Sequence, residues 1–120
     1  MLRKGDRVTV WWGTAVECLA AVAQGERAGE YGSAQADQAL ARLAGLREEW
    51  HEVLPSEEIR DRAASLLIRH PLRAADALQL AAASTWARGR PRRHALATLD
   101  ARLASAARGE GFDLVLRAER

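Results

Sequence analysis

One acidic residue set in an otherwise apolar helical run constrains this chain most: Leu72-Arg73-Ala74-Ala75-Asp76-Ala77-Leu78-Gln79-Leu80-Ala81-Ala82-Ala83. A helix so rich in leucine and alanine is expected to be buried. Arg73, Asp76 and Gln79 recur every third residue and fall on one polar stripe roughly 120° wide. This reading carries a carboxylate into the interior or to the floor of a cleft. An unpaired buried charge is costly, so Asp76 is expected to have an ion-pair partner, a metal ion or a shifted pKa.

The rest of the chain bounds the setting of that helix. Its 120 residues fit a single domain over 1–120, long enough for one hydrophobic core and too short for two. No apolar run approaches the roughly 20 residues that span a bilayer, and the opening Met1-Leu2-Arg3-Lys4-Gly5-Asp6 has no apolar signal core. A cytoplasmic location is expected. The single cysteine, Cys18, cannot close an internal disulfide or build a structural zinc site. A net charge of +2 is too small to argue for nucleic-acid binding, and although all but one of the 18 basic residues are arginine, a GC-rich genome explains that bias.

Read in order, Arg7-Val8-Thr9-Val10-Trp11-Trp12 is a β-branched and aromatic strand ending at Gly13. A helix is predicted from Thr14, where Thr14 and Glu17 have capping-box spacing, fading near Gly25. A second, capped by Ser33, runs to Glu49, and Trp50-His51-Glu52-Val53-Leu54 is a short alternating strand. Ser56 followed by two acids starts a third helix, which His70-Pro71 ends because a residue before proline avoids helical geometry. The acid-bearing helix then spans about 72–87. A strand over His94–Leu99, a helix over Ala101–Arg108 and a strand over Phe112–Leu116 complete the chain. Alternation of this kind predicts an α/β domain with a mostly parallel sheet between helix layers.

Three acids are predicted near the carboxyl edge of such a sheet, where ligands gather: Glu17 after the first strand, Asp100 directly after the third, and Asp76 early in the buried helix. Each also has a purely structural reading. Glu17 can complete the Thr14 capping box, Asp100 can cap the helix at Ala101, and Asp76 can pair with Arg73 three residues back. The basic stretch Arg88-Gly89-Arg90-Pro91-Arg92-Arg93 enters the third strand at its amino end, so it is expected to be a solvated loop away from the acids.

Taken together, Trp11-Trp12-Gly13-Thr14-Ala15-Val16-Glu17-Cys18, Leu72 to Ala82, and Ala97-Thr98-Leu99-Asp100-Ala101-Arg102-Leu103 with Ala106-Ala107 and Gly111-Phe112 resemble the successive blocks of a PIN-domain protein of the VapC toxin type. The resemblance covers essentially the whole chain. It implies a three-layer α/β/α PIN-like domain and a metal-dependent endoribonuclease of a toxin–antitoxin pair. Glu17, Asp76 and Asp100 match the acids that bind Mg²⁺ or Mn²⁺ and act catalytically in that family. Hard divalent cations favour such oxygen ligands, and clustered carboxylates repel unless a cation or a shared proton intervenes.

The resemblance further implies an RNA substrate, a cognate antitoxin partner and a homodimer. Arg73, Arg102 and Thr14 are the residues placed for phosphate contact. One departure goes with it. The family opens on a short apolar strand ending in a metal-binding aspartate, and no segment before Arg7 has that pattern, Asp6 lying in a charged turn. The expectation is a domain truncated at its N-terminus, lacking the family's first strand and one ligand. The alternative is a catalytically inactive or truncated PIN-like module that keeps antitoxin or dimer binding.

Overall fold

The computed structural model describes residues 8–88, 95–96 and 101–114. Among the described residues nine elements follow one another: β1 (Thr9–Trp11), α1 (Thr14–Arg27), α2 (Ser33–Glu49), β2 (His51–Val53), α3 (Glu57–Arg69), α4 (Ala74–Ala87), β3 (Ala95–Leu96), α5 (Ala101–Gly109) and β4 (Asp113–Leu114). The order β, α, α, β, α, α, β, α, β is the one that apolar periodicity and capping residues predict. The protein is therefore mixed α/β and mostly helical. β1 and β2 are shorter than the sequence suggests, and of the strands expected over 94–99 and 112–116, residues 94, 97–99 and 115–116 lie outside the described residues. The described strands form two two-stranded sheets, β1 with β2 and β3 with β4. The second pair is parallel, with Ala95 opposite Asp113 and Leu96 opposite Leu114.

The chain divides into two compact units, whose described parts are residues 8–52 and the residues from 53 to 114. In the first, α1 and α2 pack as a hairpin, and the His51 N–H donates to the Val8 carbonyl at 2.9 Å where β1 and β2 meet. α1, expected to fade near Gly25, ends at Arg27, so Gly25 lies in its last turn and is buried. The reason is steric: a Cβ at Gly25 would sit 2.2 Å from the Tyr31 hydroxyl oxygen. Only glycine lets that ring close against the helix, where the Tyr31 hydroxyl donates to the Val22 carbonyl at 2.8 Å.

Two caps in this unit differ from expectation. The N-cap of α1 is Gly13, so Thr14 is the first helical residue and forms no capping box with Glu17. The N-cap of α2 is Gly32, whose N–H donates to Gln35 Oε1 at 3.4 Å, and Ser33 does not cap.

In the second unit, Ser56 caps α3 as predicted, its hydroxyl accepting from the Ile59 N–H at 3.2 Å. His70, with φ −136° and ψ 146°, ends α3 before Pro71. α3 packs on α4 and α4 on α5, burying Ile59, Leu66, Leu80, Leu103 and Phe112. α4 leaves through Arg88, a non-glycine residue in the left-handed region at φ 51°, whose N–H bonds back to the Ser84 and Thr85 carbonyls. The remainder of the basic loop, 89–93, lies outside the described residues.

Candidate functional site

Asp76 is the third residue of α4 and the acid of its first turn. Packing of Ala77, Leu80, Ala81 and Ala82 sets the helix in place, and the polar stripe is left at its edge. The expectation of a buried carboxylate is corrected here: Asp76 and Gln79 are half-buried, and no polar or charged residue is buried among those described. A helix periodicity fixes which face a residue occupies, not how deep that face lies.

The pairing with Arg73 is corrected too. The helix begins at Ala74, and Arg73 is its N-cap with extended backbone at φ −80° and ψ 161°. The turn after Pro71, in which the Leu72 N–H donates to the His70 carbonyl at 2.9 Å, takes Arg73 out of helical phase. The i,i+3 geometry needed for a helical ion pair is lost. Arg73 is exposed, and the Asp76 carboxylate has no hydrogen bond or ion pair among the described residues.

Glu17 is the acid in the first turn of α1, and it is exposed. Its backbone N–H donates to the Gly13 carbonyl at 3.1 Å; its carboxylate has no partner among the described residues. Thr14 is half-buried at the start of the same helix. Partial burial, and then the charge of Glu17, push the Cys18 thiol above its ordinary value. A thiol so perturbed is protonated at neutral pH and a poor nucleophile, which leaves Cys18 a packing residue.

Arg102 is the second residue of α5 and exposed, on a helix anchored by Leu103, Ala104, Ala106 and Ala107. Asp100, the third predicted acid, lies outside the described residues. Glu17 and Asp76 belong to different compact units. Among the described residues no group of three His, Cys, Asp or Glu side chains could hold a metal ion. By donor type, however, Glu17 and Asp76 suit Mg²⁺ or Mn²⁺, since neither carboxylate has a partner among the described residues and a hard cation takes oxygen ligands.

A charged cluster lies elsewhere among the described residues, between the ends of α3 and α5. Arg69 donates to both Glu110 carboxylate oxygens, with contacts of 3.1 to 3.2 Å, and His70 Nε2 lies 2.8 Å from Glu110 Oε2. Arg69 also bonds the Ser65 hydroxyl. Partial burial pushes the Glu110 carboxyl up. The hydrogen bonds from His70 and Arg69, with their charge, outweigh it and hold the carboxyl below its ordinary range. The sequence places His70 only at the end of a helix, and nothing in the local pattern around Glu110 announces a partner 40 residues away. Both Glu110 oxygens are taken up by Arg69 and His70, which marks a clamp between two helix ends rather than a site open to substrate.

No protein-family model, curated protein or solved structure matches this chain.

Proposed function

We propose that this chain is a PIN-like, metal-dependent endoribonuclease of a toxin–antitoxin pair, hydrolysing RNA phosphodiester bonds, with Asp76 as its central acid. The observation that carries the reading is the Asp76 carboxylate. It stands half-buried, with no partner among the described residues, in the first turn of a helix whose core face is packed. A carboxylate held in such a place without a structural partner is available for a ligand. The element order is compatible with a three-layer α/β/α domain over 1–120 with a mostly parallel central sheet.

In this proposal Asp76, Glu17 and Asp100 hold Mg²⁺ or Mn²⁺. The bound ion would neutralise charge developing on the scissile phosphate and acidify a water nucleophile. The chain's own residues supply binding and orientation. Arg73 and Arg102 are exposed beside Asp76 and at the start of α5, and a guanidinium can grip two phosphate oxygens at once. Thr14 offers a hydroxyl at the start of the helix that carries Glu17. The proposal includes an antitoxin partner and a homodimer.

RNA incubated with the purified chain and Mn²⁺ should be cut, and a chelator should stop the cutting in a way that added metal reverses. Cleavage that persists in chelator would remove the metal site from the account.

A second reading has its own support. α1 turns Val16, Leu19 and Ala20 outward, with Val16 68% exposed. An inactive module that binds an antitoxin or a second copy would use such a surface. Mn²⁺ titration separates the two, because the inactive module binds its partner but no metal.

A further inference from the structure

β2 carries the chain straight out of the C-terminus of α2, so Trp50 and Glu52 project on the same side of extended backbone. Trp50 Nε1–H donates to Glu52 Oε2 at 3.1 Å. This bond fixes the plane of the indole and leaves Glu52 Oε1 without a partner among the described residues. With Ala44, Arg47, Glu48 and His51 the two residues line an open cleft of about 490 Å³, all of it within the unit of residues 8–52. The lining sets two carboxylates against one guanidinium. The last turn of α2 adds the negative end of a helix dipole.

We propose that this cleft receives the guanidinium of an arginine presented by an exposed basic segment of a partner protein. A locked tryptophan face attracts a cation through its ring quadrupole. Glu48 and the free oxygen of Glu52 supply the counter-charge and accept its N–H groups. A guanidinium suits the site better than an ammonium because its plane stacks flat on an indole while its edges still donate. The cleft is too open to enclose most of a small molecule, as a small-ligand pocket does, so the cation arrives on a larger surface. Paired carboxylates and a helix C-terminus repel phosphate, which disfavours RNA here. The inference is independent of whether the chain cleaves RNA.

The indole N–H resonance of Trp50, assigned with Trp50→Phe, reports on the site in the full chain. Titration with a tetra-arginine peptide should shift that resonance saturably and leave those of Trp11 and Trp12 in place. Glu48→Gln, which does not touch the Trp50–Glu52 hydrogen bond, should weaken binding about fivefold, the upper end for an exposed ion pair, and the double variant Glu48→Gln/Glu52→Gln should weaken it further. Arg47→Ala should tighten it, by removing the one guanidinium in the lining. Thermal unfolding of each variant checks that the fold is retained. The proposal fails if tetra-arginine produces no saturable shift, if Glu48→Gln binds as tightly as the parent, or if tetra-lysine binds as well as tetra-arginine. A tetra-uridylate that shifts Trp50 in place of the peptide would also overturn it, reassigning the cleft to nucleic acid.

Discussion

The unit built from α3, α4 and α5 buries large side chains, among them Ile59, Leu66, Leu80, Leu103 and Phe112, whereas the α1–α2 hairpin buries little beyond Ala15, Gly25, Ala36 and Leu43. No residue of β1 or β2 is fully buried either. The hairpin closes by close approach instead: a glycine that admits a tyrosine ring, and a hydroxyl that donates to the Val22 carbonyl and, more weakly, to that of Ala21. Hydrophobic stabilisation scales with apolar area removed from water, so the two regions owe their order to different things. The proposed acids are divided between them, Asp76 on the best-packed helix and Glu17 on the thinly packed hairpin.

The comparison can be broken by substitution, and the largest effect belongs to the packed unit. Leu80→Ala removes a side chain that is 0% exposed, and denaturant unfolding should show a loss of about 2–5 kcal/mol. A smaller loss than that of any hairpin substitution would reverse the ranking of the two regions. Gly25→Ala drives a methyl into the Tyr31 ring and should cost about 1–3 kcal/mol, as overpacking does. The double variant Gly25→Ala/Tyr31→Ala should recover part of that loss, because the collision is removed with the ring. Ser56→Ala removes the α3 cap and should cost about 1 kcal/mol.

The smallest effect concerns the clamp at Glu110. Its carboxyl is held below its ordinary value in the folded chain, so the folded state binds that proton more weakly than the unfolded state does. The stability it contributes is present above the unfolded carboxyl pKa and is lost as pH falls through the lower folded value. Glu110→Gln should therefore flatten the acid limb of the stability–pH curve and cost little, since Arg69 is about half exposed and surface ion pairs contribute about 0–1 kcal/mol. An unchanged acid limb would show that the clamp does not hold the two helix ends together.

Much of this architecture is legible in the sequence. Element order follows from local signals: Gly13 before α1, the Ser56 cap with its two following acids, and Pro71 after His70. What escapes local pattern is depth and long-range partnership. The apolar run around Asp76 predicts a buried helix, and its core face is buried. The depth of the polar stripe, however, depends on how α3 and α5 cover it. Arg73 drops out of the stripe because the turn after Pro71 delays the helix to Ala74. Gly25 reads as a helix end in one dimension and is an accommodation for Tyr31 in three. The Arg69–Glu110 bond joins residues 41 apart, which no local periodicity encodes. Trp50 and Glu52 were within reach: alternation over 50–54 places them on one side of a strand, although it does not announce a cleft.

Asp76 carries the central claim, and the direct measurement is RNA cleavage by Asp76→Asn beside the parent chain in Mn²⁺, with thermal unfolding of both. The substitution removes a charge but little volume, and the lost helix-dipole interaction should cost only about 0.3–1 kcal/mol. The account predicts a chain that stays folded and loses metal-dependent cleavage by about a hundredfold or more. A folded Asp76→Asn that cleaves as fast as the parent would contradict it.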